Sequence, residues 1–459
     1  MSSDDRRPSK HEKLPAYGSR RHGCADFVRK VGALGDLSSD LVIVGAGPAG
    51  VAAAVRASES GSNVLLIDDN LEPGGQIWKD MAGTRRGLQA KRWTRRLAAS
   101  DVKVLSGAQA IAASAQGRWL YVETAERAKK VHFSRLILAT GAREVFLPFP
   151  GWTLPGVFGV GGLQSLVKSG LSVAGKKIVL AGTGPLLLAV AVHLRKAGAN
   201  VRLIAEQAPQ AHILRFALAL LRYPRKLGQA VALQSALAQV RKHFGCWVER
   251  AEGDRQLRVV HLREGSRTWS EQCDFAGIAY GLAPNTELGA LLGCRVSDTG
   301  IAVSHAQEST VDGVLCAGEC TGIAGLDLSI IEGEIAGHVA AGQHRRASAL
   351  FARRNRARAF ASSLLRAFAL RPELKQLPRS DTIVCRCEDV TWSRVQQYHS
   401  FREAKLHGRC GMGPCQARVC GASLRFLLGW ETDSIRPPIL PARIETLAMQ
   451  GPEGGFRNT

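Results

Sequence analysis

The sequence predicts an α/β protein built on two strand–glycine loop–helix–strand units, with a small helical, cysteine-rich domain near its C-terminal end. Three observations carry that prediction. "DLVIVGAGPAGVAAAVRA" (40–57) and "KKIVLAGTGPLLLAVAVHLRKAGANVRLIAE" (176–206) each pass from an apolar, β-branched strand through glycines into an apolar helix. "CRCEDV" (385–390) and "CGMGPCQARVC" (410–420) gather five of the chain's 11 cysteines in one short region.

In the first unit the loop reads Gly45-x-Gly47-x-x-Gly50, with Pro48 and Ala49 opening the helix. Each glycine has its own task. Gly45 permits the tight turn, Gly47 lets the backbone approach a pyrophosphate, and Gly50 lets helix and strand pack closely. The helix N-terminus then offers free N–H groups to the anion. A second strand, "NVLLIDDN" (63–70), ends at Asp68, close to the ~20-residue offset expected of an acid that binds a ribose hydroxyl. Strand, loop, helix, strand and acid in this order make a dinucleotide site.

Three further segments favour FAD as the dinucleotide. "EPGGQIW" (72–78) supplies Gly75 and Gln76, where backbone can pass close to a flavin. "RLILATGARE" (135–144) is a strand opening into Thr140-Gly141. "GVLCAGECTGIAG" (313–325) is a strand followed by a glycine turn with Gly318 and Glu319, and the helix-like "LSIIEGEIAGHVAA" (328–341) follows. This order resembles the two-dinucleotide flavoprotein reductases. The resemblance implies an FAD domain with an inserted second Rossmann-like domain, and makes Glu319 the ligand of the ribityl chain, where the family generally has Asp.

The second unit repeats the pattern with Gly182, Gly184 and then Leu187 where a third small residue should stand. Leu at that place should push helix from strand and disturb the fit to a pyrophosphate, so the fold is kept while NAD(P) binding is doubtful. No C-x-x-C dithiol occurs, which argues against thioredoxin-reductase-like chemistry. Cys316 and Cys320 read as small buried apolar residues, and His193 and His338, in alanine-rich helices, as structural histidines. No residue stands out as a catalytic acid or base.

Length and composition set the frame. A chain of 459 residues, 45% apolar and 22% charged, is that of a soluble globular protein of several domains. No uncharged apolar stretch reaches the ~18 residues of a membrane span. Residues 1–39 are polar and basic, and no apolar segment closely follows Arg20-Arg21, so they read as a disordered tail on a cytoplasmic protein. The net charge of +22 is spread along the chain and no nucleic-acid-binding motif accompanies it, which speaks against a nucleic-acid partner. Its densest run, "HRRASALFARRNRARAF" (344–360), reads as a solvated or partner-facing helix. "LRFALALLRYPRKL" (214–227) is an amphipathic helical stretch, and Pro437, Pro438 and Pro441 predict an extended tail packed against another domain or subunit.

In a chain without a secretory signal, clustered cysteines read as metal ligands. Four thiolates suit zinc or a [2Fe–2S] cluster. Cys385-x-Cys387 is too tight for the usual zinc knuckle, and Cys415 and Cys420 supply a second pair, with Cys410 in reserve. The region resembles bacterioferritin-associated ferredoxin, in the variant carrying GMGPCQGRxC. That resemblance assigns the cluster to Cys385, Cys387, Cys415 and Cys420, with Ala417 replacing the usual Gly.

At the scale of the whole chain, "TGAREVFLPFPGWTLPGVFGVGGLQSLVKSG" (140–170), the "GTGPLLLAVAVHLRKAGA" loop and "CRCE…CGMGPCQARVC" resemble the opine oxidase A-subunit family. Hydrogen cyanide synthase B subunits and the α subunits of D-hydroxyproline and proline dehydrogenases share the pattern, over residues 40–435. The resemblance implies a hetero-oligomer, soluble or peripheral to the inner membrane face. A D-amino-acid-oxidase-like flavoprotein β subunit would oxidise a small amine or amino acid, and this chain's FAD and cluster would pass the electrons on. It also admits an FMN at a subunit interface, and a small third subunit. The rival expectations are a stand-alone NAD(P)H-dependent reductase and a non-enzymatic redox or iron sensor. The domains so predicted are 40–160 with 285–345 (FAD), 161–284 (insert), 346–380 (linker helix), 381–435 (cluster) and 436–459 (tail).

Overall fold

The computed structural model describes residues 36–78, 85–432 and 435–448. Most of the tail predicted over residues 1–39 therefore lies outside the described residues.

Two large sheets organise the chain, one per nucleotide unit, the first mixed and the second all parallel. The first has seven strands. Its centre is Leu37–Val44, which pairs in parallel with Val64–Ile67 on one side and Ala128–Leu138 on the other. Lys103–Leu105 extends the first edge. On the far side Ala128–Leu138 serves two partners along its length. Its first half pairs antiparallel with Trp119–Glu123, and Leu136–Leu138 pair in parallel with Val314–Cys316. The chain thus leaves this sheet after Leu138 and returns to it at Val314.

Helix Pro48–Ser58 and helix Leu326–Ala340 cross each other over this sheet, and their sequence explains how closely. The first buries only alanine, glycine and valine. On the second, Gly333 and Gly337 stand one turn apart, and a Cβ at either would run into the backbone of Ala49 or Ala53. Small residues on both helices let the backbones meet, and every residue from Leu328 to Ala340 is buried.

The second sheet holds five parallel strands in the order Arg241–Phe244, Asn200–Glu206, Lys177–Gly182, Phe275–Ala279, Val157–Gly159. Its edge strand begins at Val157, a few residues before the position where the sequence places the start of the insert. A three-stranded meander, Cys246–Glu252, Val259–Glu264 and Arg267–Gln272, packs beside it. A short antiparallel pair, Ala142–Glu144 with Leu282–Pro284, runs between the two units, and the Lys226–Asp327 ion pair also links them.

Helix Phe351–Ala367 leaves the first unit and is mostly exposed or half-buried, as a solvated or partner-facing helix would be, with two of its arginines turned inward. Arg354 is 1% exposed and donates to the His305 carbonyl oxygen, and Arg358 reaches inward to Glu332. Long side chains let guanidinium groups reach buried acceptors from a helix whose other arginines face water. The cysteine module follows, and the chain after it runs along the edge of the first sheet. There Ile439 N donates to Ile111 O at 2.8 Å, and Arg443 donates to Glu123, Thr124 and Ala125. Among the described residues no helix is long and apolar enough to cross a membrane.

Candidate functional site: a dinucleotide cradle and a five-thiol module

The glycine loop of the first unit sits where the sequence puts it, and the structure shows what holds it. Gly45 has φ +102°, and its N–H donates to Ile67 O at 2.7 Å. A Cβ at Gly50 would lie deep inside the Gly45 carbonyl oxygen, so only glycine permits this approach of helix to strand. Asp68, 6% exposed, accepts from the Ala46 N–H and from the backbone N–H of Asn70 at 2.7 Å. Its carboxylate thus braces the loop from the strand end. Gly74 N donates to Ala46 O at 2.8 Å, and Gly75 (φ +57°) stacks its backbone beside Gly47. Gln76 accepts from the Ser165 hydroxyl at 3.2 Å, which ties this turn to helix Val160–Lys168.

Thr140 and Gly141 form the crossover between units, with Thr140 directed toward structure. Its hydroxyl donates to Asn285 O at 2.7 Å, the Asn285 amide donates back to Thr140 O at 2.8 Å, and Asn285 N donates to Gly141 O at 3.0 Å. Gly318 (φ +81°) approaches Ala49, and Glu319 follows it. Burial pushes the Glu319 carboxyl above its ordinary pKa, against the Gly325 N–H that favours its charge. A Cβ on Gly47, Gly141 or Gly325 would meet nothing within 4 Å, so open room runs beside the loop, the crossover and the N-terminus of the long helix. Those residues fit a dinucleotide whose pyrophosphate lies on the first helix, as FAD would.

Glu332 is the residue that sequence reading missed. It is 1% exposed on the long helix and accepts from Gly318 N at 3.1 Å, Thr321 Oγ1 at 3.0 Å, and Arg358 Nε and Nη2 at 3.0 and 2.7 Å. It fixes the turn that carries Gly318 and Glu319. The signal was an acid inside the apolar run "LSIIEGEIAGHV".

The cysteine module is a hairpin and three helices, one of them the single turn Trp392–Val395. Cys385 ends strand Ile383–Cys385, and Cys410 follows helix Phe401–Gly408, which ends at Arg409 in the left-handed region. Cys420 opens helix Cys420–Leu428. The Sγ atoms of Cys385, Cys410 and Cys420 all lie within 4.8 Å of one another, and all three residues are buried. Cys387, exposed, and Cys415, half-buried, have their thiols in hydrogen-bond contact with each other. So the structure brings Cys385 and Cys420 together as the resemblance implies, adds Cys410 to them, and pairs Cys387 with Cys415. The thiols of Cys410 and Cys420, with the Gly411 and Glu388 N–H groups, donate to Cys385 and hold its pKa down to about 2, while Cys410 is pushed up to about 12. Gly411 N lies 3.4 Å from Cys385 Sγ. Five thiols form a soft donor set suited to an iron–sulfur cluster or zinc.

The module is seated on the crossover between the units. Arg143, two residues past Gly141, donates from Nε to Arg418 O at 3.0 Å, pairs with Glu287 at 2.8 Å and donates to Asn285 Oδ1 at 2.7 Å. Trp152 Nε1 donates to Ile383 O at 2.6 Å, and the Ser423 hydroxyl donates to Phe146 O at 2.5 Å.

Comparison with known proteins agrees with this geometry. The HcnB component of hydrogen cyanide synthase from Pseudomonas aeruginosa is 31% identical over 436 residues, covering 86% of this chain and 92% of that protein. The A subunit of opine oxidase from Rhizobium meliloti is 31% identical over 454 residues, covering 89% and 98%. Among solved structures, L-proline dehydrogenase from P. horikoshii superposes with a TM-score of 0.64 at 17% identity, over 91% of this chain and 81% of that one, and shares the fold of an FAD-dependent oxidoreductase. The pyridine nucleotide-disulphide oxidoreductase family matches residues 39–344, and the chain belongs to that family, grouped with opine oxidase A and hydrogen cyanide synthase B subunits.

Proposed function

We propose that this chain is the FAD- and [2Fe–2S]-bearing electron-transfer subunit of a hetero-oligomeric amine or amino-acid dehydrogenase or oxidase. The observation that carries the reading is the Arg143–Arg418 contact. It seats the five-thiol module two residues beyond Thr140-Gly141, the turn beside which we take the flavin to lie. The relatives are themselves named as subunits, which supports a partner, and we take that partner to be the D-amino-acid-oxidase-like flavoprotein that oxidises the C–N bond.

In this reading the chain's residues hold, orient and shield. Gly45, Gly47 and Gly50 admit the pyrophosphate, Asp68 braces the loop near the ribose, and Glu332 fixes the turn from which Glu319 reaches the ribityl chain. Four of the five thiols would hold the cluster. These are Cys385, Cys387, Cys415 and Cys420, with Cys410 beside Cys385 and Cys420 in reserve; of the four, Cys387 is exposed. Bound FAD supplies two-electron and one-electron chemistry and the cluster one-electron chemistry. The absence of a catalytic acid or base in the sequence reading agrees with proton chemistry residing in the partner.

The test is iron, acid-labile sulfide and flavin content of anaerobically purified protein, followed by mixing with the partner and its amine. About two irons and two sulfides per chain, with flavin bleaching only when partner and amine are both present, is the expected result. Zinc in place of iron, or flavin that stays oxidised in the reacting complex, overturns the reading.

A further inference from the structure

The family's fold implies a nicotinamide cofactor on the second nucleotide unit, and the residues there do not fit one. The two loops differ at each position that matters. In the first, Gly47 has φ −69°, the third position is Gly50, and Asp68 takes the Ala46 N–H. In the second, Gly184 has φ +91°, and Leu187, 1% exposed, stands at the third position as part of the core. The acid at the strand end is Glu206, one methylene longer than Asp68, and it reaches one residue further along the loop. It accepts from Gly184 N at 2.7 Å, from the Thr183 hydroxyl at 2.9 Å and from Ala208 N at 2.9 Å. The middle glycine is where backbone must approach a pyrophosphate, and the strand-end acid is what binds the adenosine ribose. Here the N–H of the one is committed to the carboxylate of the other.

The chain itself then crosses this place. Gln207, 0% exposed, donates from Nε2 to Thr183 Oγ1 and to Ala369 O, both at 3.0 Å, and accepts from Arg371 N at 3.1 Å. The crossing segment is anchored on both sides. Phe368 packs edge-on against Phe216. Arg371 lies over Trp247 at 5.4 Å, and Leu374 and Leu377 enter the core beneath the meander at 0% and 4% exposure.

We propose that Phe368–Arg371 occupies the place of the adenosine on the second nucleotide unit and closes that unit to NAD(P)H, so that reducing equivalents enter this protein only at the flavin domain. The proposal narrows the donor side of the function proposed above and rests on that reading for the identity of the remaining donor.

The test uses the FAD-loaded full chain under anaerobic conditions, titrated with NADH and NADPH by calorimetry and absorbance, with amide hydrogen exchange of residues 180–210 and 365–375. The expected result is no binding tighter than a Kd of about 1 mM and slow, unchanged exchange at Gly184 and Arg371. A Gln207→Ala variant, which loses the two bonds to the segment, should speed exchange of the Arg371 amide about five- to tenfold while retaining flavin. Tight NADH binding without bleaching overturns this proposal and leaves the amine-donor reading standing. Tight binding with rapid bleaching overturns both. An Arg371 amide that exchanges fast in the unaltered chain, or is indifferent to Gln207→Ala, also overturns it, because the segment would then not be held as the hydrogen bonds require.

Discussion

Glu206 offers a prediction whose size follows from where the carboxyl sits. It is 7% exposed, and burial raises its pKa from the usual 4.5 to about 7, against the pull of the Ala208, Gly184 and Thr183 donors. A carboxyl that holds its proton more tightly when folded stabilises the protein fully below pH 4.5, and that stability is lost as pH rises through about 7. With those two values, linkage gives a loss of about 2 kcal/mol between about pH 5.5 and about pH 8. Glu206→Gln removes the titration. It also turns an amide NH₂ toward one of the donors, which costs about 1–3 kcal/mol at every pH. The readout is therefore the slope, not the offset. Denaturant unfolding of both proteins across that range should show the unsubstituted chain losing about 2 kcal/mol relative to Glu206→Gln. Infrared difference spectra should show a protonated-carboxyl band that titrates near neutrality and is missing from the variant. Parallel pH profiles, with no such band, would refute the reasoning: the three donors would then outweigh burial, and the carboxylate would already be charged in mild acid.

Other substitutions test other parts of the molecule. Gly50→Ala should force helix and strand apart at a cost of about 1–3 kcal/mol and lower the flavin-to-protein absorbance ratio of the purified chain. Arg358→Ala leaves the buried Glu332 without its cation. Because Arg358 is itself 38% exposed, the expected loss lies between that of a surface and a buried pair, about 2 kcal/mol by urea unfolding. Ala417 has φ +65°, so Ala417→Gly should relieve strain and raise the thermal midpoint, by about 1 kcal/mol of stability. Cys385→Ser should abolish metal content measured by elemental analysis, whereas Cys273→Ser, in the inserted unit, should leave it unchanged.

The parts of the site that rest on backbone rules were legible in the sequence. Gly45, Gly50 and Gly318 are glycines because carbonyl groups or a neighbouring Cβ come too close for a side chain, and the strand-end acids mark the second strand of each unit. Leu187 likewise announced a loop unlike the first, and the structure shows that difference as the changed φ of Gly184. Long-range pairings were not legible. Glu332 meets Gly318 and Arg358 across the fold, Gln207 meets Arg371, and Arg143 meets Arg418. No local periodicity encodes such partners, since they follow from how layers stack. The arginine-rich helix is largely solvated as its composition says, but the inward reach of Arg354 and Arg358 was not legible for the same reason: they answer to acceptors on other elements.

The seating of the cysteine module on the crossover also sets an order of assembly. Synthesis delivers both nucleotide units before residue 383 exists, so the Trp152 indole and the Phe146 carbonyl wait without the Ile383 and Ser423 partners that later satisfy them. Phe146 and the surface of the inserted core on which Ala422 and Phe426 come to rest stay uncovered until then. A chain that stops short of the module would keep the strand pair and the Gln76–Ser165 and Lys226–Asp327 links between its halves, but with that apolar surface open to proteases and to other copies. Completion of the last domain therefore covers that surface and adds the Trp152–Ile383 and Ser423–Phe146 bonds to the links already made.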